Sequence, residues 1–371
     1  MANYKLPDLR YQTIKRNKDE LIKHLKSFEL DLKFSVGLWY FTPSGNRFHE
    51  PIVEQKSVEE RIQMAYKLVD LGVSGLEAHY PAEINWNNID LYKDLMKSTG
   101  LKVVGLAFSH FYEKKFEFGA LSNPNPKIRK EAIEIAIGGL KLVKEIGANC
   151  AISWPGMDGY IYDLGTIYPW MWEFYDTSIA KAMDEVPGVR VALEPKPYEP
   201  AINNIFRTTA EGILASLRIQ KLLTNPENKK LMSEGHQLFG LNPEIGHVRM
   251  GYENLAAAYS LVGMYGMLAH SHWNSQPLGN YDQDLNVGVV DVQQTYALLY
   301  ALKMIGYREY IGIDINPEHM LSFKAIELNI KVIKKLKEKI ENLPHEDIIE
   351  CYLNPENNRG RLEEIMLKYL L

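Results

Sequence analysis

The chain has 371 residues, 46% of them hydrophobic and 24% charged, with 26 Gly and 18 Pro. These are ordinary globular values, and they exclude disordered, collagen-like and low-complexity architectures. The formal net charge is −5, so no basic surplus exists to neutralise a phosphate backbone, and nucleic acid is not expected as a partner. Two cysteines, Cys150 and Cys351, cannot build a disulfide framework. The start MANYKLPDLRYQTIKRNKDE has no apolar signal core, and no run of ~18 apolar residues occurs. The expectation is a cytoplasmic protein with no membrane partner.

Short apolar or β-branched runs alternate with amphipathic stretches along the chain. The predicted strands are Phe34–Tyr40, Gly75–His79, Lys102–Ala107, Cys150–Trp154, Arg190–Glu194, Gln237–Leu241, Gly266–His272 and Tyr310–Asp314. Helices are predicted between them. SVEERIQMAYKLVDLG opens on a Ser cap with Glu three residues on and stops at Gly72. NIDLYKDLMKSTG and NPKIRKEAIEIAIGGLKLVKEIG also end on glycine, at Gly100 and Gly147. Further helices fit near Thr166–Met183, Thr208–Leu223, Tyr252–Gly263, Asp291–Gly306 and Glu318–Leu343. Eight strand-then-helix units imply a parallel sheet closed into a (β/α)8 TIM barrel over residues 34–343. Residues 1–33 form an N-terminal helical extension, and 344–371 a charged helical arm. That arm either packs on its own barrel or wraps a neighbouring subunit.

Catalytic groups of such a barrel sit where strands end. Those ends carry His79, then Ser109 and His110, Trp154, Glu194 and Lys196, Glu244 and His247, His270, His272 and Asn274, Asp282 and Asp284 in the following loop, and Asp314. One such residue means little, but Glu194, Glu244, Asp282, Asp284 and Asp314 on one rim would repel each other without a cation between them. Mixed carboxylate and imidazole donors suit Mg²⁺, Mn²⁺ or Co²⁺, and their number suits two ions sharing one carboxylate. The bland alternative is an ion-pair network with Lys196 and Arg249. Cysteine is absent from the set, against a structural zinc site. No Gly-rich phosphate loop and no GxSxG occur, so nucleotide cofactors and serine hydrolysis are disfavoured.

The stretches ALEPKPYEP, NPEIGH, NYDQDLNVG and GIDINP, in this order, resemble the metal-site motifs of the xylose isomerase family. FSVGLWYF, LEAHY and SWPGMDGY resemble other segments of it, and the likeness runs from about residue 34 to about residue 320. The resemblance implies a metal-dependent aldose–ketose isomerase using two divalent ions, Mn²⁺, Co²⁺ or Mg²⁺. Glu194, Glu244, Asp314 and His272 would hold a structural metal. Glu244 would bridge to a second metal held by His247, Asp282 and Asp284. Lys196 would reach the sugar's carbonyl oxygen, His79 would help open the ring, and Trp154 would cover the reacting carbons. Trp39, Ser109 and Asn274 would complete the substrate pocket, and Glu199 would tune the metal from behind. The family is usually tetrameric or dimeric, so a homo-oligomer is implied.

Three positions depart from the pattern. His272 stands where xylose isomerases have aspartate and L-rhamnose isomerases have histidine, which favours Mn²⁺ or Co²⁺ over Mg²⁺. The aspartate that orients the ring-opening histidine is replaced by Ala82, with Glu83 as a substitute. The lysine two residues after the last aspartate is Asn316. The phenylalanine that a neighbouring subunit inserts is loosely matched by Phe48. Two rival readings remain: a sugar epimerase on the same barrel, using one metal and a pair of glutamates, and a non-catalytic sugar-binding relative.

Overall fold

A computed structural model describes residues 4–12, 17–42, 50–316 and 319–370. It contains eight parallel strands, β1 Lys33–Gly37, β2 Val73–Tyr80, β3 Lys102–Phe108, β4 Cys150–Ser153, β5 Val191–Leu193, β6 Phe239–Leu241, β7 His272–Trp273 and β8 Tyr310–Ile313. Their order around the sheet is β6-β5-β4-β3-β2-β1-β8-β7. Single parallel bridges, Leu241 to Leu268 and Glu244 to His272, join β6 to β7 and close the barrel. The fold is the expected (β/α)8 barrel.

Helices alternate with the strands on the outside. α1 (Lys18–Ser27) precedes β1, and α2 (Val58–Ala65) opens on the predicted capping box of Ser57 and Glu60. α3 (Ile89–Thr99) and α4 (Pro126–Ile146) end at Gly100 and Gly147 in left-handed conformation, as their sequences require. Gly138 and Gly139 of α4 serve packing: a Cβ would lie 2.2 Å from the Tyr80 hydroxyl and 2.7 Å from Phe108. Helix and sheet touch there only because the side chains are missing. The large apolar core lies between this helical ring and the sheet.

Three boundaries differ from the sequence expectation. β1 stops at Gly37, and Leu38–Phe41 form a 3-10 turn; the Trp39 ring folds back over Gly37, where a Cβ would meet it at 2.1 Å. The seventh strand shrinks from Gly266–His272 to His272–Trp273. Short helices at Pro226–Ser233 and Ile245–Met250 are additional to the predicted elements. The sheet-ending residues have a common cause. Pro195, Pro197 and Pro243 follow β5 and β6 and lack the N–H that would continue a ladder. Those segments are thereby freed to bend over the barrel mouth.

The two ends of the chain close the assembly. Residues 4–12 are not helical; Leu9 is buried beside Ala107, Cys150, Ile152, Ala192 and Ala269 of the barrel interior. The Gln12 amide pairs with the Leu268 backbone in both directions, at 2.7 and 3.1 Å. The C-terminal helices His345–Leu353 and Arg361–Tyr369 pack on their own chain. Lys18 of α1 meets Glu350 at 2.9 Å, and Cys351 and Ile365 join the main core.

Candidate metal centre

Strand alternation aims residues i and i+2 at the same face. Glu77 and His79 of β2, Ala107 of β3, Ile152 of β4 and Glu194 just past β5 thus point into the barrel, as do His270, His272 and Asp314. A cavity of about 270 Å³ opens at the C-terminal end of the strands. Its β5–β8 side is formed by Glu194, Lys196, Glu244, His247, His272, Asp282, Asp284 and Asp314, and its β1–β4 side by Trp39, His79, Ala107, Phe111, Ile152 and Trp154. One half is acidic and basic, and the other is almost wholly apolar.

Within the polar half, donor atoms converge in two groups that share one residue. Glu194, Glu244, His272 and Asp314 bring one atom each within 4.8 Å of one another, and so do Glu244, His247 and Asp282. Glu244 belongs to both. His272 Nδ1 lies 3.2 Å from Glu194 and 3.1 Å from Asp314, and His247 Nε2 lies 3.3 Å from Glu244 and 3.2 Å from Asp282. Asp284 stands outside these tight groups. Its carboxylate accepts from Asn274 at 2.8 Å, and its backbone sits at positive φ of 45°, a conformation that aspartate tolerates better than most residues.

The charge balance is poor. Burial, and then Asp282 and Asp284, push the Glu244 carboxyl well above the usual range. Burial followed by Asp282 and Asp314 does the same to Asp284. Burial alone would raise Asp282 too, but Lys196 and His247 outweigh it and hold that carboxyl low. Burial disfavours the His272 imidazolium, yet Glu194, Glu77 and Asp314 together raise it well above the ordinary histidine value. Proton binding is thus favoured at places where a divalent cation could bind instead. The side-chain atoms His272 Nδ1, His247 Nδ1, Asp282 Oδ1 and Asn274 Oδ1 are buried without an aligned hydrogen-bond partner. Orphaned ring nitrogens beside carboxylates that resist ionisation are the pattern a divalent cation would complete. Arg249 does not supply the missing positive charge, because it pairs with Asp291 at 3.1 Å.

The apolar half holds one polar group. His79 Nδ1 meets Glu83 Oε2 at 2.9 Å, and the Glu83 carboxylate is also bonded to the His79 backbone N–H and the buried Arg61 guanidinium. Glu83 thus orients the His79 ring, a contact that Ala82 cannot make. The His79 ring lies 4.5 Å from Trp39 and 5.3 Å from Phe111 between centroids. Phe111 in turn contacts Trp154 edge-on at 5.0 Å. Trp39 bridges the halves, its indole N–H donating to Asp314 at 3.0 Å.

Several predicted residues take other places. Ser109 is buried and does not line the cavity; its backbone N–H caps Tyr80 at 2.7 Å, and Phe111 occupies the wall instead. Asn274 sits behind the site, where its amide donates to both Glu244 (2.7 Å) and Asp284 (2.8 Å). It orders two carboxylates through its amide nitrogen and does not line the cavity. Glu199 accepts the Asp282 backbone N–H at 2.8 Å and lies 3.9 Å from Lys196. Lys196 pairs with Asp282 at 2.7 Å and lies 5.3 Å from the Trp154 ring centre. The Asn316 backbone N–H donates to the Asp284 carbonyl at 2.7 Å. Phe48 lies outside the described residues. Sequence reasoning passed over Glu77, although alternation in LEAHY places it on the same inward face as His79.

Comparison with known proteins bears on the family and the fold. A family model described as a xylose isomerase-like TIM barrel matches residues 65–338. A xylose isomerase from Thermus thermophilus is 30% identical over 291 residues, 74% of this chain and 70% of that protein. Among solved structures, an L-ribulose 3-epimerase superposes with a TM-score of 0.61 at 14% identity, covering 84% of this chain and 96% of that one. A 3-keto-D-glucoside 4-epimerase from E. coli superposes at 0.57 and 17% identity, covering 82% and 100%. At such identities these two describe the fold alone.

Proposed function

Because the chain belongs to the xylose isomerase-like TIM barrel family, we propose that it is a metal-dependent aldose–ketose isomerase acting on a small sugar by a 1,2-hydride shift. The observation that carries this reading is the pair of carboxylate–imidazole groups sharing Glu244, with a buried lysine beside them. Glu194, Glu244, His272 and Asp314 would hold one divalent ion, and Glu244, His247, Asp282 and Asp284 a second. When bound, such ions would supply Lewis acidity at the sugar oxygens and neutralise the carboxylates. The imidazole of His272 favours Mn²⁺ or Co²⁺.

The chain's own side chains do the rest. His79, held by Glu83, presents its free ring nitrogen to the ring oxygen of the cyclic sugar and helps open it. Lys196 remains protonated: burial would lower it, but Asp282 and the other acids more than offset that. Its ammonium donates to the carbonyl oxygen and stabilises charge there. Trp39, Phe111 and Trp154 screen the reacting carbons from water. The hydride moves from C2 to C1 as the O2 proton leaves and O1 gains one, so the sugar is neither oxidised nor reduced overall. The cavity of about 270 Å³ fits a single monosaccharide rather than a chain.

The test is an aldose panel of xylose, glucose, rhamnose, ribose and lyxose with Mn²⁺ or Co²⁺. At least one should give its ketose, and chelation should stop the reaction. Turnover of none moves the weight to epimerisation or to sugar binding without chemistry.

A further inference from the structure

Glu77 is buried in the barrel interior, below the floor of the cavity, and does not line it. One carboxylate oxygen accepts from Ser35 Oγ at 2.7 Å and lies 3.0 Å from His270 Nε2. The other lies 2.9 Å from His272 Nε2. The surrounding strands make room for it: a Cβ on Gly312 would lie 2.8 Å from one Glu77 oxygen and 2.7 Å from the His272 ring, and a Cβ on Gly105 would lie 3.2 Å from the other oxygen. Small residues on β1, β3 and β8 therefore surround a charged one. A buried carboxylate is retained at such cost only where its partners are fixed.

The two nitrogens of His272 consequently have different neighbours. Nε2 is engaged by Glu77. Nδ1 points at Glu194 and Asp314 and has no aligned hydrogen bond. We propose that Glu77 is a positioning residue that fixes His272 in its Nε2–H form, so that the Nδ1 lone pair faces the first metal. A carboxylate accepting the distal N–H of a ligating histidine sets both ring orientation and tautomer, and it strengthens the ligand nitrogen. His270 and Ser35 hold Glu77 in register, which makes the device a four-residue unit of β1, β2, β7 and the segment leading into β7. Aspartate needs no such partner, so this unit goes with the histidine that replaces the family's aspartate. The proposal rests on the metal-site reading above, but not on any sugar being turned over.

Two measurements on the intact protein test it. In histidine-labelled protein loaded with Mg²⁺, long-range ¹H–¹⁵N NMR should show His272 protonated at Nε2, with Nδ1 unprotonated and shifted by the metal. Protonation at Nδ1 or metal contact at Nε2 overturns the proposal. In Glu77→Gln, shown to be folded by circular dichroism, calorimetric titration with Co²⁺ should show the first-site affinity lowered roughly 10- to 100-fold. Unchanged affinity in a folded variant overturns it. Should that variant fail to fold, the NMR result on the unmodified protein decides. Absence of isomerase activity would count against the proposed function and leave both readouts intact.

Discussion

Two carboxylate–histidine groups face the same cavity, on opposite sides, and they differ in electrical completeness. On the β2 side, His79 is bonded to Glu83, and Glu83 to Arg61, so every charge has a partner. On the β5–β8 side, five carboxylates share Lys196 and two imidazoles, and both imidazoles keep an orphaned ring nitrogen. The first group is a charge-balanced network that fixes the orientation of one histidine ring. The second is unfinished as protein, and its excess negative charge is what divalent cations would neutralise. Residue types alone do not separate the two; the balance of charge does, since on the β2 side only the Arg61 Nε is left without a partner while its charge is met by Glu83.

The largest effect is expected at the shared residue. Glu244→Gln should lower turnover on the order of 10³-fold or more and reduce bound metal, read by elemental analysis. Normal turnover with normal metal would mean that the two groups do not share a ligand. Lys196→Ala should lower kcat roughly 10²- to 10³-fold while metal content stays normal; loss of the metal as well would make the lysine a structural partner of Asp282. Breaking the charge-balanced network should cost less. Glu83→Gln should lower kcat/KM on the order of tenfold to a hundredfold and leave Co²⁺ affinity unchanged. A weakened Co²⁺ affinity would show that the halves are not independent.

The smallest effect is on stability. Glu244 and Asp284 are raised when folded, so their protonated forms support the metal-free fold below the ordinary carboxylate range. That support is lost as pH rises through their folded values. Asp282 is lowered, and its contribution changes only at acid pH. The metal-free melting temperature should therefore fall as pH rises above about 5, while the gain on adding Mn²⁺ should widen over the same range. A pH-independent gain would place the ion elsewhere.

The barrel was legible because its signals are local. Apolar runs, Ser57 with Glu60, and the glycines at 100 and 147 each act within a few residues. The acidic rim was legible because strand ends of such a barrel converge. Asn274 and Ser109 were misplaced because facing the cavity or turning behind it depends on loop geometry, and Asn274 is drawn away by Glu244 and Asp284. Glu77 was passed over because its partners His270 and His272 lie 193 and 195 residues away. A single acid within an apolar strand declares nothing until the strand across the barrel is known.

The most direct measurement follows an accepted aldose in D₂O with the Mn²⁺- or Co²⁺-loaded protein by NMR. Intramolecular hydride transfer from C2 to C1 of the bound sugar should yield the ketose with no deuterium at C1. Deuterium at C1, or a product epimeric at a carbon that has taken up solvent deuterium, would contradict the hydride shift and point to proton transfer instead.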